Sequence, residues 1–170
     1  MGGPAEARRS AGPALCGDDV WRAIERASFG VLAHVSGTGE PRCSGVVYGV
    51  VDRRLYVAIG RDGWKARQIA DGSIVAMTVT VRRGGLLALV LPIPPATITF
   101  RARVTVHAPD EHGKPAIPES LGRLLPDERT DAAVLELVPE GRFLTYGIGV
   151  PLQAMRNPAA SMAQVPVASA

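Results

Sequence analysis

A mainly β domain with a few short helices is the fold class this 170-residue sequence predicts, on three observations. Hydrophobic residues make up 46%, mostly Val, Ala, Leu and Ile, against two Trp, three Tyr and three Phe. The core must therefore be aliphatic and rich in β-branched side chains, a composition that favours sheet. From Thr97 to Val106 the chain alternates cleanly: Ile98, Phe100, Ala102, Val104 and Val106 face one way, Thr97, Thr99, Arg101, Arg103 and Thr105 the other. One of these faces is core, and the other is wet or faces a ligand. Finally, Phe29 to Val81 reads as three aliphatic strands, a short helix and a fourth strand.

The length suits one domain, because two would each be marginal. Residues 1–17 are Gly, Pro, Ala and Arg without periodicity and read as a flexible tail, 18–150 as the folded unit, and 151–170 as a second tail. Within the unit, Asp18 caps a helix through Ala27 that places Val20, Ile24 and Ala27 on one face. Phe29 to Ser36 is a strand with Phe29, Val31, Ala33 and Val35 on one side, and Gly37-Thr38-Gly39-Glu40 turns the chain. Arg42 to Val51 is a second strand, small or aliphatic on both faces, as expected where a strand is covered twice. Asp52-Arg53-Arg54 leads into a third strand, Leu55 to Ile59.

A helix of about ten residues follows, capped by Asp62 and closed by Gly72, with Ala66, Ile69 and Ala70 facing inward. Ser73 to Val81 is the fourth strand, and the apolar stretch Leu86 to Leu91 needs cover that a second copy of the chain would supply. After the alternating strand come a polar loop from Pro109 to Pro118, a helical turn from Glu119 to Leu125, and a closing hairpin of Ala133–Val138 with Arg142–Val150 around Pro139-Glu140-Gly141. No internal repeat or dividing linker is present.

Composition also bounds the function. A net charge of +3 is too small to capture a polyanion by field alone, and there are no stacking platforms beside a basic stripe, so nucleic acid is not an expected partner. Cys16 and Cys43 form neither a disulfide framework nor a metal pattern, and a reducing cytoplasm is the default compartment. The segment after Arg8-Arg9 is too short and broken for a signal core, and no apolar run approaches the ~20 residues needed to cross a bilayer. His34, His107 and His112 lack ligand spacing; His34 reads as a structural histidine, and Cys43 as a small buried filler.

One constellation carries chemistry. Arg61, Trp64 and Lys65 open the short helix, where free backbone amides and fixed cations can together hold a phosphate. Arg101 and Arg103 share a strand face and read as pointing into a cleft, toward a partner subunit's phosphate, or into solvent as two exposed arginines. Gly147-Ile148-Gly149 lacks the third glycine of a dinucleotide fingerprint.

The runs Phe29–Ala33, Gly39–Ser44, Leu55–Gly60, Lys65–Ile69 and Val75–Val79, in that order, resemble the pyridoxamine 5′-phosphate oxidase-like flavin-binding split barrels over residues 18–150. The resemblance implies a six- to seven-stranded antiparallel split β-barrel that forms a homodimer with its cofactor at the subunit interface. That cofactor would be FMN, with a deazaflavin coenzyme or heme as alternatives. Ser44, Gly45, Val46 and Val47 resemble the strand along the isoalloxazine ring, and Ala58, Ile59, Gly60 and Arg61 the strand end that meets ring and phosphate. Lys65 matches the phosphate-binding lysine, and Thr78 and Thr80 border the site from the next strand. Many relatives have a hydroxyl residue before that lysine, where this chain has Trp64. By this resemblance the chain is an FMN-dependent oxidoreductase acting on a small molecule; the alternatives are a deazaflavin-dependent reductase and a flavin- or heme-binding protein without turnover. No catalytic side chain and no metal ligand is assigned.

Overall fold

Strands that bury one face must curl around that face to keep water out, and here they do so as a single antiparallel sheet. The computed structural model describes residues 14–60, 68–83, 93–109, 115, 117–124 and 132–167. Its strands are β1 (Phe29–Val35), β2 (Pro41–Val47), β3 (Gly49–Val51), β4 (Arg54–Gly60), β5 (Ile74–Val81), β6 (Ala96–His107), β7 (Ala132–Tyr146) and β8 (Met162–Pro166). They run in the order β2-β1-β5-β6-β7-β4-β3, with β8 added alongside β7. This is the split barrel that the resemblance implies, with seven strands on the main path.

Closure is written into one short piece of chain. β2 and β3 are the two ends of the strand order, yet only Tyr48 separates them in sequence. The predicted single strand from Arg42 to Val51 is therefore two. Its ladder with β1 ends where the Tyr48 N–H donates to the Ser28 carbonyl at 3.2 Å, and the chain crosses to β4. Asp52 and Arg53, with φ of 49° and 58°, make the tight left-handed turn that joins β3 to β4. Nor is β2 covered on both faces: it is an edge strand whose outer side chains, Cys43 among them, are exposed in the single chain. Small side chains on two faces allowed double cover, but edge position decided against it, and Cys43 is not the buried filler expected.

The barrel is plugged by α1 (Gly17–Arg26), whose Val20, Trp21 and Ile24 are buried. Trp21 and Phe100 each meet Phe143 edge to face, with ring centroids 5.5 and 5.4 Å away. The Tyr48 hydroxyl donates to the Ile24 carbonyl at 2.8 Å, satisfying one of the acceptors a helix end leaves open. Burial holds that phenol well above the ordinary tyrosine range. The helix starts earlier than its acidic residues suggested. Cys16 is the N-cap, the Asp19 carboxylate accepts the Cys16 backbone N–H at 3.1 Å, and Asp18 instead pairs with Arg53 at 2.6 Å.

Two further expectations change at the C-terminal side. The closing hairpin is one fifteen-residue strand, β7. It bends at Gly141 (φ 75°), where its pairing with β6 shifts between Thr99 and Arg101. The long β6 templates β7 on both sides of that bend, so Pro139-Glu140-Gly141 makes a bulge and not a turn. Residues beyond 150 were read as a tail. Instead, Leu152–Arg156 and Pro158–Ser161 are helical turns, and β8 places Val165 in the core. The apolar run Leu86 to Leu91 and the helix opening at Asp62 lie outside the described residues, although Ile69 is buried and Gly72 has the left-handed φ of 75° typical of a helix end. Glu119–Leu124 is a tight 3₁₀ turn.

Candidate functional site

Strand alternation sorts the predicted ligand residues onto two sides of the sheet. On β2, Val46 points into the core, and Ser44 opposes the fully buried Leu32; the Ser44 hydroxyl is buried without a hydrogen-bond partner. Gly45 and Val47 face outward. On β4, Ile59 is in the core, while Ala58 and Gly60 lie on the opposite side, beside Val134 and Ala132 of β7. Thr78 and Thr80 face outward on β5. Gly45, Val47, Thr78 and Thr80 are thus gathered on one outer face, whereas Ser44, Val46 and Ile59 can act on it only as its packing layer. Arg61, Trp64 and Lys65 lie outside the described residues, and the chain is described up to Gly60 just before them.

Phe29 organises this face. Its ring lies over Gly45, where a Cβ would come within 2.9 Å of it, so the glycine is the recess in which the ring sits. The ring remains 47% exposed, and Val47 across the ladder 59%. Behind them runs a row of threonines: Thr78 and Thr99 hydroxyls are 3.1 Å apart, Thr97 opposes Thr80, and the Thr80 hydroxyl donates to the Phe29 carbonyl at 3.5 Å. An aromatic ring beside a hydroxyl-lined apolar surface suits a flat heteroaromatic ligand, which needs stacking area and a few orienting hydrogen bonds. The alternation in β6 marked Thr97 and Thr99 as wet or ligand-facing, but nothing in the linear sequence paired Phe29 with Gly45. Only the register does that.

At its α1 edge the face runs into a cleft of about 610 Å³ between the helix end and β5, lined by Phe29, Thr80, Arg26, Ser28 and Arg82 among others. Arg83 is turned away from it, donating to the Val150 carbonyl and to the Met155 sulfur. Arg101 and Arg103 are both paired with Glu140, at 3.6 and 2.9 Å, so neither is a bare cation awaiting a phosphate. His34 is buried with Nε2 3.4 Å from the Gln68 side-chain oxygen, as expected of a structural histidine. Among the described residues no cluster of His, Cys, Asp and Glu could hold a metal ion, and no helix is long and apolar enough to cross a membrane.

A second polar constellation went unread in the sequence. Glu136 of β7 is only 7% exposed and accepts from Arg54 at 2.5 Å and from His107 at 2.7 Å. Burial pushes its carboxyl up, but the His107 and Arg54 hydrogen bonds outweigh burial and hold it below its ordinary value of 4.5. A carboxyl depressed in the folded state stabilises above the unfolded value and loses that contribution as pH falls below it. Glu136→Gln is therefore expected to lose about 1–3 kcal/mol at pH 7. The difference from wild type should shrink as pH falls below about 4.5, measured by urea unfolding across pH. A pH-independent difference would contradict the assignment.

No protein-family model matches the chain, and no curated protein sequence does. Solved structures share its fold. General Stress Protein 26 from Bacillus anthracis str. Sterne is 18% identical with a TM-score of 0.54, over 76% of this chain and 92% of its own. An F420 reductase is 22% identical with a TM-score of 0.52, over 72% and 93%. The heme storage protein HutZ from Vibrio cholerae is 16% identical with a TM-score of 0.55, over 78% and 95%. At these identities the likeness establishes the split-barrel fold.

Proposed function

We propose that the chain is a homodimeric oxidoreductase that holds FMN against the outer face and acts on a small organic molecule. One observation carries the reading: the face that collects Gly45, Val47, Thr78 and Thr80 is apolar, hydroxyl-lined and uncovered in the single chain. Gly45 and Val47 would lie along the ring system, with Phe29 at its edge. The threonine hydroxyls would orient its polar atoms, and Arg61 and Lys65 would hold the phosphate. Ala58 and Gly60 lead the chain toward those cations, and Trp64 would add an aromatic wall. Bound FMN would supply the hydride or electron transfer, and the protein position, electrostatics and exclusion of water. In the cytoplasm both cysteines would remain thiols.

The same surface supports the homodimer. Val35, Ile74, Leu144 and Met162 join Phe29 and Val47 as large exposed apolar residues among those described, and surface of this kind marks interaction sites where it is extensive. A second copy laid on this face would cover them and close the ligand between subunits, with an interface of roughly 800 Å² per partner. Val47→Glu buries a charge in that contact, and is expected to turn the dimer into monomers and to release the cofactor. Sedimentation velocity, with the absorption spectrum of the purified protein, reads both. A monomeric wild type, or a charged variant that keeps both dimer and cofactor, would overturn the reading.

The F420 reductase and heme storage neighbours favour a second reading, in which the same face takes a deazaflavin coenzyme or heme. Mass spectrometry of whatever small molecule copurifies separates the three, and a heme would also announce itself by a Soret band.

A further inference from the structure

Eleven arginine side chains are described, and seven of them have a partner: Arg22 with Asp19, Arg42 with Glu40, Arg53 with Asp18, Arg54 with Glu136, Arg101 and Arg103 with Glu140, and Arg83 with the Val150 carbonyl. Arg26, Arg82, Arg142 and Arg156 have none among the described residues. Two of these four, Arg26 from the last turn of α1 and Arg82 from just past β5, line the same cleft. Among the described residues no carboxylate lines it. Ser28 and Thr80 bring hydroxyls, Phe29 an aromatic wall and Val81 an apolar one.

Two arginines that line one cleft with no counter-charge among the described residues leave a local excess of positive potential, which an anion relieves. The helix end does not supply that anion. Its carbonyls favour Arg26 where it stands, and the Ile24 carbonyl is already taken by the Tyr48 hydroxyl and the Ala27 N–H. At about 610 Å³ the cleft has the size of a small-molecule pocket. Its polar groups and its apolar wall together fit an amphiphilic ligand better than a bare ion.

We propose that the cleft between α1 and β5 is a binding site for a small organic anion, with a phosphate or carboxylate held between Arg26 and Arg82 and an aryl or alkyl body against Phe29 and Val81. Such an anion is either a free substrate-like molecule or the charged arm of a larger ligand seated on the adjoining outer face. The site stands on the cleft's own residues and does not depend on which redox cofactor, if any, that face takes.

Phenyl phosphate, inorganic phosphate and phenol, titrated into the full-length protein by calorimetry, test it. Phenyl phosphate is expected to bind, inorganic phosphate to bind at least about tenfold more weakly, and phenol not to bind. The double variant Arg26→Ala/Arg82→Ala is expected to lose at least about tenfold in phenyl phosphate affinity. Arg142→Ala, which removes an equally exposed and unpaired arginine away from the cleft, should leave it unchanged. Far-UV circular dichroism confirms that both variants are folded, and Arg26→Lys/Arg82→Lys should recover part of the affinity. Saturating FMN that abolishes phenyl phosphate binding would identify the charged arm of a larger ligand as the occupant. Simultaneous binding would identify a separate anion. Equal binding of phenol and phenyl phosphate, or equal losses in the Arg26/Arg82 and Arg142 variants, would overturn the proposal.

Discussion

Phe143→Ala is expected to destabilise the fold by about 3–5 kcal/mol, a large share of the roughly 5–15 kcal/mol a domain of this size possesses. Phe143 has no exposed surface, and it is the ring that both Trp21 and Phe100 strike edge-on. It therefore joins three parts of the fold at one point: the α1 plug, the long strand β6, and the half of β7 beyond the bulge. Truncation removes the buried ring and leaves a cavity that the surrounding strands, each held by its hydrogen-bonded neighbours, cannot collapse to fill. Phe143→Leu keeps most of the volume and should cost less than half as much. Urea unfolding of the two variants checks the ordering. A Phe143→Ala protein within 1 kcal/mol of wild type would mean that α1 does not plug the barrel as described.

Local periodicity carried much of this architecture into view before any coordinates. The side chains of β6 alternate as they do because one face of a strand is sealed by the barrel interior, and such a two-residue period is visible to any linear reading. β1 was equally readable as a strand, but which of its faces was core was not. Phe29, Val31, Ala33 and Val35 look like an interior set, yet Phe29 and Val35 stand exposed while Gly30, Leu32 and His34 are buried. The apparent contradiction disappears if the outer face is itself to be covered, since a strand sandwiched between a core and a partner has two apolar sides. The hairpin assigned at Pro139-Glu140-Gly141 failed for a different reason. Turn-forming residues specify a local change of direction, but whether the chain reverses or merely bulges depends on the neighbouring strand, here a β6 long enough to pair on both sides of the bend.

The ligand residues divide along the same line. Ser44 to Val47 were read as a unit, but a β-strand cannot present four consecutive side chains to one ligand, and alternate residues must turn away. Gly45 and Val47 remain as ligand candidates, with Ser44 and Val46 beneath them. The Glu136–His107–Arg54 cluster escaped notice because its members are far apart in sequence and meet only through the β6–β7 and β4–β7 ladders. Arg26 escaped for the related reason that its significance is an absence, the lack of a carboxylate among the described residues that line its cleft, and an absence can be seen only in three dimensions.

Removing the cations at Arg61 and Lys65 together is expected to weaken FMN binding by about 100-fold or more. Charge-assisted hydrogen bonds contribute about 1.5–3 kcal/mol each, and about 1.4 kcal/mol is a factor of ten in affinity. Two such contacts, even if partly redundant, therefore exceed two decades. Affinity alone would not identify the phosphate as their target, because a collapsed site also loses ligand. Riboflavin, which has the same ring system and no phosphate, supplies the distinction. If Arg61 and Lys65 grip the phosphate, Arg61→Ala/Lys65→Ala should bring the FMN affinity down toward that of riboflavin and leave riboflavin nearly unmoved. Fluorescence quenching titrations of the two flavins into apoprotein measure both quantities on one preparation. Parallel losses for the two ligands would assign the arginine and lysine to the architecture of the site, and an unchanged FMN affinity would remove them from it altogether.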